Sequence, residues 1–333
     1  MTSWFDIVRE RPIEWQGSRY EEYPLFNRIS IETTSYCNRD CSFCPVSKGR
    51  RPKQISMRDE LFESIAVQLE DLTFEGVVQL FLLNEPTLDK QLLKRAERLY
   101  KIPGKISIYV STNCDLLLAM PVDKAIAKLY EYWCAGINVI NLNVYDAGTE
   151  QLTKIHALRS AAIAEYPDTI RAIEKHKYNA HTQGRLHLAI TDMRPDRVAS
   201  DVSLVNMLHE RTQEDKPGGS TVTAPQIHCA RPHRHMVVRY DGLVPLCCAV
   251  DPTASDLVIA GDLNKTRMLD VWNSETFTKY RWRLQQAKRD LPMCSQCTHR
   301  MAYSHVVRRV AVPETYTMKW LDEVHAGETA EQA

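Results

Sequence analysis

The stretch RISIETTSYCNRDCSFC, residues 28–44, joins a strand-like segment to three closely spaced cysteines. Apolar and polar residues alternate over residues 27–37, which predicts a β-strand that ends at the first cysteine. Cys37, Cys41 and Cys44 follow in a C-x3-C-x2-C pattern. The segments that come after this stretch therefore decide which fold carries the thiols.

Those segments alternate between strand and helix patterns. Apolar runs predict strands over 77–86, 105–113, 137–146 and 185–193, and helical spacing predicts helices over 57–72, 89–101, 123–136 and 149–178. Such alternation indicates parallel strands with helical crossovers. We predict an α/β fold with a partial (β/α)6 TIM-like barrel, in which sites form at the carboxyl ends of the strands.

Composition excludes several classes of partner. The formal net charge is zero, so we expect no nucleic-acid partner. The N-terminal residues lack the apolar core of a signal peptide and no run of 18 apolar residues occurs, so we expect no membrane partner and a cytoplasmic location.

Eight of the ten cysteines fall into two groups that look like ligand sets, and Cys114 and Cys134 stand alone. Clustered thiols in a reducing compartment indicate metal binding or catalysis rather than disulfides. A structural zinc ion needs four ligands. A 4Fe-4S cluster held by only three thiolates keeps one iron open for a substrate or cofactor, which explains the odd number in the first group.

The motif CNRDCSFC, placed after the first strand, resembles the signature of the radical S-adenosylmethionine (SAM) enzymes, with Phe43 before the third cysteine. The resemblance implies that Cys37, Cys41 and Cys44 hold a 4Fe-4S cluster and that SAM binds its open iron near Phe43. It further implies reductive cleavage of SAM to a 5'-deoxyadenosyl radical that abstracts a substrate hydrogen.

Two further segments resemble cofactor-binding stretches of that family. LLNEP, residues 82–86, stands where the family has Gly-Gly-Glu-Pro, and Leu83 and Asn84 replace the glycines. The resemblance assigns a cofactor role to Asn84 and Glu85, and the segment STN assigns one to Ser111 and Asn113. Polar residues that only end a strand are the alternative interpretation.

The C-terminal part has a different organisation. QEDKPGGSTVTAP, residues 213–225, is predicted to be a linker, and Asp241-Gly242 predicts a hairpin between two strands, followed by a helix. The predicted division is an N-terminal extension 1–26, a core barrel 27–212, the linker, an auxiliary domain 226–310, and a C-terminal helix or tail 311–333.

The later cysteines resemble the shortened form, called twitch, of the auxiliary-cluster extension named SPASM. That resemblance implies one auxiliary 4Fe-4S cluster that exchanges electrons, with Cys248 left over and these ligands: Cys229, Cys247, Cys294 and Cys297. A zinc ribbon with the same cysteines is the alternative. His228, His233 and His235 lie near Cys229 in the sequence, where histidines tune clusters by hydrogen bonding.

The shortened extension resembles that of an aminocyclitol dehydrogenase in this family. We therefore expect oxidation or epimerisation of a small polyol, sugar or aminocyclitol, with Cys248 as hydrogen donor in an epimerisation. A dehydrogenase also needs a base, and the candidates at predicted strand ends are Asp146, Asp192 and Arg194. A flavodoxin or ferredoxin is the expected electron donor. Maturation of a peptide substrate and a non-enzymatic iron-sulfur or zinc scaffold are the alternatives.

Overall fold

The computed structural model describes residues 25–41, 44, 54–173, 184–194, 229, 231–248, 257–295 and 297. Strands and helices alternate through its first part: β1 (Arg28–Ile31), α1 (Asp59–Asp71), β2 (Gly76–Gln79), α2 (Leu92–Tyr100), β3 (Ile106–Thr112), α3 (Asp115–Leu118), α4 (Val122–Cys134), β4 (Ile137–Val144), α5 (Glu150–Glu165), β5 (Ile170–Ala172) and β6 (Leu186–Asp192). The second part contains α6 (Arg231–Arg234), β7 (His235–Val238), β8 (Leu243–Pro245), β9 (Ile259–Asp262), α7 (Met268–Trp272) and α8 (Glu275–Gln285).

Seven strands form one sheet in the order β5-β6-β4-β3-β2-β1-β7, and every pairing in it is parallel. This sheet confirms the predicted α/β fold. Because the strands are parallel, their carboxyl ends meet along one edge. The cysteine loop after β1, the LNEP segment after β2 and Asn113 after β3 are thereby brought to the same edge.

One face of the sheet is packed against the helices. Ile29 and Ile31 of β1 are fully buried there, and α1 buries Ile65 and Leu69 at helical spacing against the same core. Burial of side chains of this size contributes about 1.5–3 kcal/mol each. The opposite face carries a small apolar cluster of Val77, Tyr109 and Val139, against which Phe81 and Ile173 pack. Since Ile173 follows the edge strand β5, its contact with the middle strands shows that the sheet is curved.

The hairpin prediction at Asp241-Gly242 is correct for the turn and wrong for the pairing. Gly242 donates its backbone N–H to the carbonyl of Arg239 and has φ 88°, a conformation that favours glycine. However, β7 pairs in parallel with β1, and β8 pairs antiparallel with β9. Sequence pattern alone did not show that the strand before the turn completes the main sheet.

Element ends differ from the prediction in a consistent way. The predicted strand 77–86 ends at Gln79, and the helix predicted over 149–178 ends at Glu165 and is followed by β5, which was missed. Pro167 accounts for the helix end, because the residue before a proline disfavours helical geometry. The residues lost from the strands are the polar loops that line the candidate site.

The auxiliary part and the barrel share one core. The ring of Trp272 lies edge-on to Phe26 at 5.1 Å, and Phe26 contacts Phe74 at 5.3 Å. The linker 213–225, the C-terminal segment 311–333 and nearly all of the extension 1–26 lie outside the described residues, so the predicted domain boundaries stay predictions. Among the described residues, no helix is long and apolar enough to cross a membrane.

Candidate functional site

The cysteine loop is closed at its base by the chain on either side of it. Thr34 and Ser56 form an isolated antiparallel bridge, and Ser35 donates its backbone N–H to the carbonyl of Ile55 at 2.8 Å. Glu85 donates its backbone N–H to the carbonyl of Tyr36 at 2.9 Å. These bonds fix the chain immediately before Cys37 to the end of β2.

Three thiols lie together in this loop. Burial, together with the weaker effect of charges at Glu85, Cys44 and Cys41, raises the pKa of Cys37 to about 12, although a backbone hydrogen bond from Arg39 acts in the other direction. Burial likewise raises the pKa of Cys41 to about 11, with Cys44 adding to the effect. Because thiolates are the ligand form, a bound metal cluster would supply the positive charge that these crowded thiols need to ionise.

Within the described part of the chain, no group of three or more histidine, cysteine, aspartate or glutamate side chains is arranged to hold a single metal ion. A 4Fe-4S cluster offers a separate iron to each of its thiolate ligands, which suits three closely spaced cysteines.

Arg39, between the first two cysteines, is clamped by two carboxylates. Its Nε donates to Asp115 after β3 at 2.7 Å, and its Nη1 donates to Asp146 after β4 at 2.6 Å. Burial lowers the pKa of Arg39, but these hydrogen bonds outweigh it and hold the pKa above its usual value. The clamp ties the cysteine loop to the ends of two barrel strands.

Glu85 is the centre of a second set of bonds. Its Oε1 accepts from the hydroxyls of Thr87 at 2.6 Å and Thr112 at 2.7 Å, and its Oε2 accepts from the backbone N–H of Asn113 at 2.7 Å. The side chain is buried, which raises its pKa. Glu85 therefore fixes the relative position of the ends of β2 and β3 beside Cys37.

Asn84 has a buried donor without a hydrogen-bond partner. Its Oδ1 accepts from the backbone N–H of Leu82 at 3.0 Å, but its Nδ2 makes no hydrogen bond. A buried N–H left unpaired costs about 1–3 kcal/mol. A ligand that presents an acceptor at this position would satisfy Asn84.

Asn113 and Ser111, the other predicted cofactor residues, lie on the same strand end. The Nδ2 of Asn113 donates to Oδ1 of Asn38 at 2.8 Å and points at the sulfur of Cys37 at 4.0 Å. The hydroxyl of Ser111 accepts from the amides of Asn141 and Asn143. Phe43, the remaining predicted cofactor residue, lies outside the described residues.

Polar side chains continue across the sheet at positions that the sequence interpretation missed. Thr191 donates to Asn141 at 2.8 Å, and on neighbouring strands Ser30 bonds to Gln79 at 2.9 Å and to His235 at 2.8 Å. The signal that could have found them is the alternation in strands such as INLNV, where one face is apolar and the other is polar.

The predicted catalytic carboxylates are both paired with arginine. Asp146 belongs to the Arg39 clamp, and its side chain is 55% exposed. Asp192 accepts two hydrogen bonds from the guanidinium of Arg194 and one from its backbone N–H. The Nη1 of Arg194 also donates to the carbonyl of Gly148 at 2.6 Å. The structure thus places Asp146 in the support of the cysteine loop and keeps Asp192 and Arg194 together at the end of β6.

The later cysteines form a second group of thiols. Burial raises the pKa of Cys247 well above its usual value, and the nearby thiols of Cys248, Cys294 and Cys297 add to this effect. Cys297 donates its backbone N–H to the carbonyl of Cys294 at 3.1 Å. Cys229 is described too, but its two sequence neighbours are not.

Arginines surround this second group. Arg289 is 2% exposed and donates from Nη1 to the sulfur of Cys297 at 3.7 Å and to its carbonyl at 3.3 Å. Arg231 is the charge that opposes the rise in the pKa of Cys247. The Nε2 of His235 bonds to Ser30 in the barrel, and tuning of a cluster by this histidine stays a prediction. His228 lies outside the described residues.

Two family models match this chain, and each covers one of the two groups of cysteines. The family model of the radical SAM superfamily matches residues 31–191, and the model of the SPASM iron-sulfur cluster-binding domain matches residues 229–298. The second match begins at Cys229 and ends one residue after Cys297. This chain belongs to the radical SAM superfamily. Its cofactors are therefore a 4Fe-4S cluster, SAM and an auxiliary cluster in the SPASM domain.

Individual relatives agree with this assignment. The S-adenosyl-L-methionine-dependent 2-deoxy-scyllo-inosamine dehydrogenase of Niallia circulans is 25% identical over 83% of this chain and 94% of its own length. Two crystal structures of BtrN also match the fold. BtrN in complex with AdoMet and 2-DOIA has a TM-score of 0.61 at 19% identity, covering 87% of this chain and 100% of that chain. BtrN in an open conformation has a TM-score of 0.54 at 19% identity, covering 84% and 94%.

Proposed function

We propose that this radical SAM enzyme is a dehydrogenase that oxidises a hydroxyl-bearing carbon of a small polyhydroxylated amine, of the aminocyclitol class. The observation that carries the proposal is the similarity to the 2-deoxy-scyllo-inosamine dehydrogenase, which runs through both the radical SAM core and the SPASM domain. When bound, the first cluster and SAM supply the radical that removes the substrate hydrogen.

The first cluster would be held by Cys37, Cys41 and Cys44. The loop that carries them is fixed by the Arg39 clamp and by the Glu85 bonds, so the thiols are positioned before any metal binds. Ligands oriented by surrounding hydrogen bonds hold a metal group more tightly. The carboxylate of Glu85 acts here as a positioning group.

SAM would be bound by residues at the same edge of the sheet. The unpaired Nδ2 of Asn84 supplies a buried donor that suits a carboxylate or carbonyl oxygen. Ser111 and Asn113 add polar groups one strand away, and Phe43 is assigned by resemblance alone. Asn84 thus offers a side-chain donor where relatives in this family have glycine.

The auxiliary cluster would be held by Cys229, Cys247, Cys294 and Cys297. The contacts of Cys247 with the last two cysteines support three of these ligands, and the SPASM match begins at the fourth. Four protein ligands leave no iron open to substrate. We therefore propose that this cluster accepts the electron released in the oxidation.

The open face of the sheet suits a substrate with many hydroxyl groups. Asn141, Asn143 and Thr191 present amide and hydroxyl groups on the same face as the cofactor residue Ser111. Polar side chains that can both donate and accept hydrogen bonds discriminate strongly against substrates lacking such groups.

Asp192 and Arg194 are our proposed contacts for the reacting hydroxyl. They end β6, and Arg194 is 5% exposed. The guanidinium of Arg194 orients the carboxylate of Asp192 through two hydrogen bonds, and a carboxylate so placed could accept the hydroxyl proton. Asp146 is a weaker candidate, because its side chain is more exposed than that of Asp192.

Cys248 would become a hydrogen donor only if the enzyme epimerised its substrate instead of oxidising it. It lies beside the ligand Cys247 and has no role in the dehydrogenase scheme. Incorporation of solvent deuterium into recovered substrate would reveal this second activity. A dehydrogenase incorporates none at the oxidised carbon.

We further propose a cytoplasmic enzyme that receives electrons from a flavodoxin or ferredoxin. Two thiolate-ligated clusters require a reducing compartment. The free state of all ten cysteines is compatible with that location.

The test is anaerobic turnover of the reconstituted chain with 2-deoxy-scyllo-inosamine that carries deuterium at its hydroxyl-bearing carbons. We expect a keto product and one equivalent of 5'-deoxyadenosine, with one deuterium transferred into the latter. Omission of the inosamine controls for abortive cleavage of SAM. Formation of 5'-deoxyadenosine without deuterium and without product would refute this substrate class.

A further inference from the structure

Positive charges, most of them buried, lie near the auxiliary thiols. Arg289 hydrogen-bonds to the sulfur of Cys297 and to its carbonyl. Arg231 acts on Cys247 as a nearby positive charge. Arg281 and Arg234 are nearly fully buried a few residues away, where their charges help to lower the pKa of His233.

These cations are held in place by the surrounding structure. Arg281 stacks on Trp272 with its guanidinium 4.0 Å from the ring centre, and its Nε donates to the carbonyl of Pro232 at 2.8 Å. Arg289 is fixed by the two bonds to Cys297. Fixed charges act on a neighbouring group without first having to reorganise.

A cluster gains one negative charge when it is reduced. A hydrogen bond to a ligand sulfur and a nearby positive charge both stabilise the reduced form, and low solvent exposure strengthens their effect. Hydrogen bonds to sulfur and net charge are among the factors that set iron-sulfur potentials. The environment of Cys247 and Cys297 therefore favours reduction.

We propose that Arg289, through its hydrogen bonds to Cys297 and with the added charge of Arg231 nearby, raises the reduction potential of the auxiliary cluster and thereby lets it accept the electron of substrate oxidation. The effect of these charges on the reduction potential needs only that the auxiliary cluster be present. That the accepted electron comes from substrate rests on the proposed function. In that oxidation the carbon loses a hydrogen atom to the 5'-deoxyadenosyl radical. The hydroxyl then loses its proton to a base and one electron passes to the oxidised auxiliary cluster, which leaves a carbonyl.

The test is a redox titration of the full chain with both clusters reconstituted, monitored by electron paramagnetic resonance without substrate. Arg289→Gln keeps N–H donors and removes the charge, and we expect its equilibrium constant for one-electron reduction to fall about tenfold, a lowering of about 59 mV. Arg289→Lys keeps the charge and should retain most of the potential. Arg283→Gln is the matched control, because Arg283 also lies in this domain but pairs with Asp290.

Arg231→Gln provides an independent variant if Arg289→Gln does not bind the auxiliary cluster. We expect its auxiliary potential to fall as well, while the potential of the first cluster in the same sample stays constant. An unchanged auxiliary potential in a fully loaded variant, or loss of the cluster from both variants, would overturn the proposal in favour of a structural role. A shifted potential without ketone formation would instead refute the proposed substrate and leave this inference standing.

Discussion

At the first thiol site, the guanidinium of Arg39 is shared by Asp115 and Asp146, and the buried carboxylate of Glu85 lies beside Cys37. At the auxiliary site, Arg289 contacts Cys297 and Arg231 acts on Cys247. The ligands are the same kind of thiol in both places. The comparison teaches that the charges around the ligands, rather than the ligands themselves, distinguish the two sites, and our proposals relate this difference to the direction in which each site passes electrons.

Removing the first cluster is the strongest way to separate the two sites. We expect the triple variant of Cys37, Cys41 and Cys44 to alanine to lose about four of about eight irons per chain and all 5'-deoxyadenosine formation. Iron analysis and chromatography of the SAM products measure both. Cys134→Ala, which removes an exposed cysteine on α4, is the control and should leave both unchanged. Retained SAM cleavage in the triple variant would show that the radical chemistry does not depend on this loop.

Removing an auxiliary ligand should have a narrower effect. We expect Cys294→Ala to cleave SAM but to form ketone at least about 100-fold more slowly, because the transition state for oxidation then lacks its electron acceptor. Parallel assays of 5'-deoxyadenosine and ketone measure the ratio. Equal loss of both products would mean that the SPASM cluster supports SAM cleavage, and the comparison between the sites would fail.

Breaking the Arg39 clamp should weaken the first site alone. We expect Arg39→Gln to reduce the iron occupancy or turnover about 10–100-fold, as is typical when groups that orient metal ligands are removed. The auxiliary signal in electron paramagnetic resonance should persist. Arg98→Gln is the matched control, since Arg98 also bridges two carboxylates, Glu63 and Glu70, but far along α2. Wild-type occupancy in Arg39→Gln would show that the clamp is dispensable.

Lowering the pH should change the stability contributions of the two sites in opposite directions: it should destabilise the protein through His233 and His235 and stabilise it through Glu85. Burial, and then neighbouring arginines, lower the pKa of His233 to about 3 and that of His235 well below its usual value. The unfolded chain therefore binds more protons, and each histidine costs about 1 kcal/mol of stability between pH 7.5 and pH 5.5. Burial raises the pKa of Glu85, so its contribution falls as the pH rises.

Thermal unfolding at pH 7.5 and pH 5.5 measures this smallest effect. The apparent Tm of the wild type should fall with acid, and His235→Asn should reduce that fall. Glu85→Gln should enlarge that fall, because Glu85 contributes with the other sign. An identical pH response in the wild type and His235→Asn would contradict the assignment of a neutral buried imidazole.

The fold and the first site could largely be predicted from the sequence, because both depend on neighbouring residues. Helical spacing and apolar runs located most elements within a few residues. The close spacing of three cysteines in one short loop indicates the first site directly. The Arg39 clamp could not be predicted, since its partners Asp115 and Asp146 are brought to it only when β3 and β4 lie side by side.

The auxiliary site shows the same limit more strongly. Its cysteines were assigned by resemblance to a family, not by local pattern, and the buried arginines near them carry no distinctive spacing. The place of β7 was also hidden, because His235 and Ser30 bond across 205 positions of sequence. Contacts of that range depend on the completed sheet.

The pairing of β7 with β1 has a consequence for how the chain is made. During synthesis β1 emerges early, whereas β7 emerges only after most of the chain. Until β7 pairs with it, β1 has an unpaired edge. Unpaired edges of this kind recruit other strands and lead to aggregation. We therefore expect a fragment that ends before residue 228 to be insoluble. The segment that contains β7 therefore protects the edge of the barrel sheet as well as carrying auxiliary cysteines. Its deletion should lower the yield of soluble protein, whatever it does to the redox chemistry.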